Sequence, residues 1–405
     1  MDALKLVLIL VAIVIALRRK VPVGVALFGA GPLTALLYQV PAKTLGQGYL
    51  DLLGSERFLF LTGVVIFITI LGHLLKELGA LDRLARACQE LYGGARTATV
   101  MLPLLVGLMP MPAGSLLSAP LVENVLKDPK HSPHFKCAVN YWFRHLAEFS
   151  WPIYAGLILT EGITGMPIAR VALMQLPLSL MMILIGLAFF VRKIDNTPDR
   201  SSALVRPIGG ILATIWPVLT AIFLYGVFKI HLTLAVAIAV VALVLVYRPS
   251  GRTLVSSVKK GLSYRLIVLV YGILSFQMVL EMSGGIESIP RLATVYNLPV
   301  ELIIFLVCFS IGILTGMVSA YVGLGYALLA GFLYQPELAP ANIMLAYLSG
   351  FIGIMISPTH LCLIFTLEYF GADLLKVYRT LGWPLLILGL FGYVLYLTGY
   401  GSLFL

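Results

Sequence analysis

Apolar stretches long enough to cross a lipid bilayer follow one another from residue 4 to residue 400, and no other feature leaves this chain so few folds to choose from. In hydrocarbon no water answers a free backbone N–H or C=O, so these stretches read as α-helices. Composition agrees: 60% of the residues are hydrophobic and only 11% charged, far too little charge to cover a soluble chain of this length. The expectation is an all-α polytopic membrane protein. Its net charge of +10 is spread over short loops, so it is no signal for nucleic acid. The first apolar run ends at Arg18-Arg19-Lys20 with no small-residue cleavage site and reads as a first span, not a removable signal peptide.

In order, the spans are 4–17, 21–40, 58–78, a divided region 97–125, 134–160 and 171–191. A polar linker, 192–206, carries Asp195, Asn196, Pro198, Asp199 and Arg200. The pattern then restarts: 208–228, 232–247, 262–282, a divided region 300–334, 342–370 and 380–400. This divides the chain into a first unit, 1–191, and a second, 207–405. Segments 45–53, 82–91 and 253–261 read as interfacial amphipathic helices.

Four interruptions matter most. Pro152 and Pro358 sit inside apolar segments, where proline removes a donor and crowds the preceding turn, so both helices should break. In 97–125, Pro110, Pro112 and Gly114 make a continuous helix improbable. Each arm of about a dozen residues is too short for a core ~30 Å thick at 1.5 Å per residue. A re-entrant hairpin fits better. Region 300–334 reads likewise, with its tip expected at 319–325, although a full span there stays open.

The restart is an internal repeat. The run Pro152 to Thr160 aligns with Pro358 to Thr366 at a shift of 206, and Pro177 aligns with Pro384 at 207. Arg86 falls on Arg291 and Asp82 on Glu287 at 205, and Gly63 on Gly272 at 209. Repeats of this length are typical of secondary transporters. With the N-terminus outside, basic residues crowd the inner loops, among them Arg18, Arg19, Lys20, Arg83, Arg96, Lys130, Arg192, Arg248, Lys259 and Lys376. The outer loops keep only Lys43, Arg57, Arg170, Lys229 and Arg291. Five crossings per unit is odd, so the second unit should be inverted and both termini should lie outside the inner membrane.

Opposed hairpins and broken helices bring free helix ends to the midplane, N-termini suiting an anion and carbonyl ends a small cation such as Na⁺. The side chains expected there as substrate contacts are Gly114, Ser115 and Ser118 of the first hairpin, Asn140 and Arg144 before the first break, Ser319, Gly323 and Gly325 of the second hairpin, and Ser357, Thr359 and His360 at the second break. Glu148, Ser150, Pro152 and Ser357 are the expected coupling-ion group. Arg144 and Glu148 share a helix face, and an ionised group within a span costs ~2.5–3.5 kcal/mol unless partnered. They read either as a substrate contact and a cation or proton site, or as a structural pair. His145 reads as a packed or interfacial histidine. His73, Glu77, Asn124, Glu161, Glu281 and Glu368 read as interfacial. Cys88, Cys137, Cys308 and Cys362 show no metal-ligand spacing and read as small core residues.

The hairpin-plus-broken-helix units resemble the ion transporter superfamily. The runs Ser357-Pro-Thr-His-Leu-Cys-Leu363 and Gly107-Leu-Met-Pro-Met-Pro-Ala-Gly-Ser115 resemble domain-of-unknown-function family 401, ten-span prokaryotic membrane proteins. The resemblance implies the fold and says nothing of the substrate. The Ser-Asn-Thr signatures of the superfamily's dicarboxylate branch are absent, the corresponding positions reading Ala113-Gly114-Ser115 and Ser357-Pro358-Thr359.

The function expected is therefore secondary active transport of a small organic anion coupled to Na⁺ or H⁺, with a cation/proton antiporter as alternative. From another class, an intramembrane enzyme would use His360 as base and Ser357 as nucleophile. No HExxH, Gly-x-Ser-x-Gly or ATP-binding loop is present, so no enzymatic activity is expected. No cofactor is expected beyond Na⁺ or H⁺, and no metal beyond Na⁺. The partners implied are a small-molecule or ion substrate and the lipid bilayer, with no nucleic acid and a homodimer left open.

Overall fold

The computed structural model describes residues 2–80, 83, 84, 87, 94–109, 114–195 and 205–405, and every element among them is helical. The first run comprises α1 (Asp2–Arg18), α2 (Val23–Leu37), α3 (Ala42–Gly54), α4 (Glu56–Glu77), α5 (Gly94–Gly107), α6 (Gly114–Val125), α7 (Pro133–Arg144), α8 (Ala155–Thr164) and α9 (Ile168–Phe189). The second comprises α10 (Val205–Gly226), α11 (Leu232–Tyr247), α12 (Gly251–Gly261), α13 (Tyr264–Met282), α14 (Ser288–Val295), α15 (Val300–Thr315), α16 (Val318–Leu328), α17 (Pro340–Met355), α18 (Leu361–Phe370) and α19 (Leu374–Leu397). Among the described residues, five helical stretches are long and apolar enough to cross a membrane: Glu56–Glu77, Ile168–Lys193, Gly209–Gly226, Gly251–Met282 and Leu374–Leu397. The chain is a polytopic helical membrane protein.

Local chemistry sets the ends of these helices. Ser55, Ser132 and Ser250 each accept the backbone N–H three residues on, and Asp373 does the same for Lys376, so four helices begin on a side-chain cap. Gly165 after α8 and Gly371 after α18 both take the left-handed conformation, at φ +74° and +58°.

Helices α4 and α13 run in opposite directions, and so do α9 and α19. Arg57 at the start of α4 meets Gln277 near the end of α13, whereas His73 near the end of α4 bonds Ser257 upstream of α13. Arg170 at the start of α9 reaches the Phe404 carbonyl beyond the end of α19. Contacts also exchange between the halves. A Cβ on Gly63 of α4 would meet Thr233 of α11, and one on Gly272 of α13 would meet the backbone of Gly24 in α2. Both glycines let a long helix cross the second helix of the other half closely.

Two expectations are corrected. The second hairpin turns at Gly316–Met317, not at 319–325: α15 closes on Gly316 at φ +63°, and Tyr321–Gly325 is a π-helical turn within the returning arm. Segment 288–295, read only as a loop carrying Arg291, is a helix. Segment 253–261 is helical within α12, buries only Ser257 and Gly261, and packs Gly261 onto Ile66 and Ile70 of α4. By contrast, α3 buries none of its residues. The Asp82 and Arg86 repeat matches, most of the 82–91 helix, Cys88, the tip residues Pro110, Pro112 and Ala113, and linker residues 196–204 lie outside the described residues.

Candidate functional site

Proline dictates where both long segments break. After Pro152 the chain resumes as α8 at Ala155, and after Pro358 as α18 at Leu361, the same offset in each. Freed backbone groups at the second break find protein partners, as a dry interior demands. Tyr378 donates to the Ile356 carbonyl (2.7 Å), His360 N to the Ser357 carbonyl (3.3 Å), and Ser357 Oγ to the Ile313 carbonyl at the end of α15 (2.7 Å). Ser357 Oγ also accepts the N–H of Thr359, a tight local turn around Pro358.

The ends of α5 and α15 press against these breaks. A Cβ on Gly107 would collide with the Arg144 carbonyl, and one on Gly316 would lie 2.6 Å from His360 N. Trp151 Nε1 donates to the Leu108 carbonyl (3.1 Å), and Tyr154 hydroxyl donates to the Gly107 carbonyl. The contacts also cross between halves. Ser115 Oγ donates to the Cys362 carbonyl (2.9 Å), and a Cβ on Gly156 would meet Val318 and Tyr347. Four helices thus begin at the centre: α6 beside α18, and α8 beside α16. Four others end there: α5, α7, α15 and α17.

The charged residues of this centre are on α7 and the 3-10 turn Leu146–Phe149 that follows it. Every residue of α7 from Cys137 to Arg144 is buried, so this helix is walled by protein on all sides. Arg144 Nη1 lies 3.5 Å from Glu148 Oε1 and 3.3 Å from Tyr154 hydroxyl, with Arg144 and Glu148 only 4% and 6% exposed. Tyr347 of α17 donates to the Glu148 carbonyl (2.9 Å), tying the turn to the other half. Glu148 Oε2 has no hydrogen-bond partner, and neither has the Oδ1 of Asn140, whose Nδ2 donates to the Ser115 carbonyl (2.9 Å). A buried acceptor left open costs ~1–3 kcal/mol, so each of these two atoms can take a further donor or cation.

The two histidines close the gap. His145 and His360 bring their Nε2 atoms to 3.2 Å of each other, and Cys362 Sγ lies with them inside a 4.8 Å cluster. The reading of the cysteines as core residues holds for Cys137, Cys308 and Cys362, which are all buried, and Cys362 Sγ also lies beside two imidazoles. His145 is fully buried, as its packed reading expects.

Of the residues expected from sequence, Ser115, Asn140, Arg144, Glu148, Ser357 and His360 come together here. Gly114 starts α6, and Ser118 Oγ donates to the Ser115 carbonyl one turn deeper. Thr359 is exposed and bonds Ser357. Ser150 turns aside to Ser179 of α9 (2.9 Å), and Pro152 contributes the break itself. Ser319 is half-buried on α16. Gly323 and Gly325 stand apart: a Cβ on either would press on Ile273 or Cys308, so they serve helix packing. Ser357 and His360, weighed as nucleophile and base, are turned to different partners.

Sequence reasoning missed Tyr154, Tyr347, Gly107, Gly316 and Cys362. The glycines had a signal, each ending an apolar helix where a left-handed cap or close approach is usual. It also missed a cavity of about 640 Å³ beside the far end of α8. Arg57 caps that end by donating to the Gly162 and Ile163 carbonyls. Glu161 and Glu281, expected at an interface, line the same cavity.

The chain belongs to the family described as "Protein of unknown function (DUF401)", whose model matches residues 2–398. A comparison with curated proteins gives no match at all.

Proposed function

We propose that this protein is a secondary active transporter that moves a small organic anion coupled to Na⁺ or H⁺ by alternating access. The single observation that carries the reading is the meeting of two hairpin turns and two helix breaks around buried Arg144 and Glu148. Helix N-termini of α6, α8 and α18 offer partial positive charge to an anion, and Arg144 adds a full charge. Glu148, with Oε2 open, suits the coupling cation or proton. The opposed running directions of α4 and α13, and of α9 and α19, support two inverted units of the ion transporter kind. The bias of basic residues supports a cytoplasmic-membrane protein with both termini outside. The buried carboxylate equally favours cation/proton antiport as a second reading.

Proteoliposomes containing the full chain, screened over organic anions with imposed Na⁺ or pH gradients, test this. Gradient-dependent uptake, lost in Arg144→Ala and Glu148→Gln with folding intact, is the expected result. Cation flux against a proton gradient without anion uptake selects antiport. Uptake unchanged in both variants removes the pair from the site, and a soluble product formed without any gradient sinks transport altogether.

A further inference from the structure

His145 and His360 are 215 residues apart in the chain, yet each is held in the same way. His145 Nδ1 lies 2.6 Å from the Tyr141 carbonyl, and His360 Nδ1 lies 2.7 Å from the Gly316 carbonyl. A carbonyl accepts only, so both Nδ1 atoms carry a proton, and with neutral rings both Nε2 atoms expose a lone pair. Histidine ligands of metals are oriented by this kind of bond. Tyr141 packs edge-on against both rings, at 4.5 and 5.8 Å between centroids, which fixes their planes further.

Two lone pairs 3.2 Å apart repel unless a positive centre sits between them. Two imidazole nitrogens, each 2.0–2.1 Å from a tetrahedral zinc, lie about 3.3–3.4 Å from one another. The observed spacing is therefore that of a metal-binding pair. A proton alone would satisfy the nitrogens, but it would leave the third member unexplained. Cys362 Sγ completes the group, and all three ligand atoms lie within 4.8 Å of one another. Glu148 Oε1, 3.8 Å from His145 Nε2, adds negative charge beside them while Arg144 holds it back from the cluster.

We propose that His145, His360 and Cys362 bind a thiophilic divalent cation of the zinc class, with one coordination position left open. The donor set selects the class. Thiolate and imidazole suit zinc-like ions, whereas Na⁺, Mg²⁺ and Ca²⁺ take oxygen ligands. Three protein ligands with an open fourth position are the pattern of sites that exchange a ligand, in contrast to closed four-ligand structural sites. Ser115 donates to the Cys362 carbonyl and the Gly316 carbonyl fixes His360, so both hairpin turns position the ligands. The site occupies the gap assigned to transport but does not depend on that reading.

The test uses the full chain in detergent after chelation, titrated with Co²⁺ as optical probe and then with Zn²⁺. One Co²⁺ per chain should bind, with thiolate-to-cobalt charge-transfer absorption, and Zn²⁺ should displace it. Cys362→Ser should lose the charge-transfer band while keeping its helical circular dichroism, and His360→Asn should weaken binding at least tenfold. Binding should also weaken as pH falls, because the thiolate must be free of its proton. A folded wild-type chain that takes neither metal overturns the proposal. So does a charge-transfer band that persists in Cys362→Ser. Gradient-driven anion uptake without metal binding would refute this site alone, and metal binding without uptake would refute transport alone.

Discussion

At the second break, helix α17 runs to Met355, three residues short of Pro358. At the first, α7 stops at Arg144, eight residues short of Pro152, and a 3-10 turn fills the interval. That extra turn is where the halves part in chemistry. It holds Glu148 in the interior beside Arg144 and His145 at the end of α7, whereas the second break offers Ser357, Thr359, His360 and Cys362. A proline thus breaks each of the two segments, and charge gathers at the first break alone. The lesson is that the prolines set where the gaps fall, while the residues beside them set what each gap can hold.

The largest effect expected from breaking this asymmetry comes from the buried ion pair. Removing one partner leaves the other charge uncompensated, so Glu148→Gln or Arg144→Ala should lose roughly 3–5 kcal/mol as well as transport. The double variant Arg144→Ala/Glu148→Gln should lose less stability than the two single losses added together, and should not transport. Denaturation of wild type, both single variants and this double variant in detergent gives the cycle, and additive losses would mean the pair is not coupled.

Next comes the turn against the second break. Gly316→Ala must place a side chain in the left-handed region, which costs roughly 1–2 kcal/mol. Its Cβ would also crowd the His360 backbone, a further ~1–3 kcal/mol. A lowered Tm is expected with a changed cobalt spectrum, since His360 would be pushed from its place. Unchanged stability would show that the hairpin turn and the break are not in contact.

The smallest expected effect is at Ser357. Ser357→Ala leaves the Ile313 carbonyl without its donor, which costs ~1–3 kcal/mol. Because no charge is stranded, the loss should fall below that at the first break, and thermal unfolding compares them directly. A loss as large as that of Glu148→Gln would erase the distinction drawn between the two breaks.

Much of this architecture can be read along the chain. Pro152 and Pro358 announce breaks because no interior helix accommodates a missing N–H without consequence. Gly63 and Gly272 stood out as a repeat match, and both prove to be crossing points. The tip of the second hairpin was misplaced because Gly323 and Gly325 looked like turn residues, when they relieve crowding against Ile273 and Cys308. Arg57 read as an outer-loop charge and Glu281 as an interfacial one, because nothing in sequence shows that α8 ends against Arg57 beside a cavity that Glu281 lines.

The amino-acid order alone determined that this chain is a membrane protein of long apolar helices, doubled, with polar interruptions at fixed prolines. Those are consequences of local composition and backbone chemistry, which act over a turn or two. That Cys362 faces His145 and His360, and that Glu148 lies between Arg144 and His145, was decided only by tertiary packing. Hydrogen-bonded and ligating contacts depend on ångström distances between segments hundreds of residues apart, and no spacing rule along one chain encodes them.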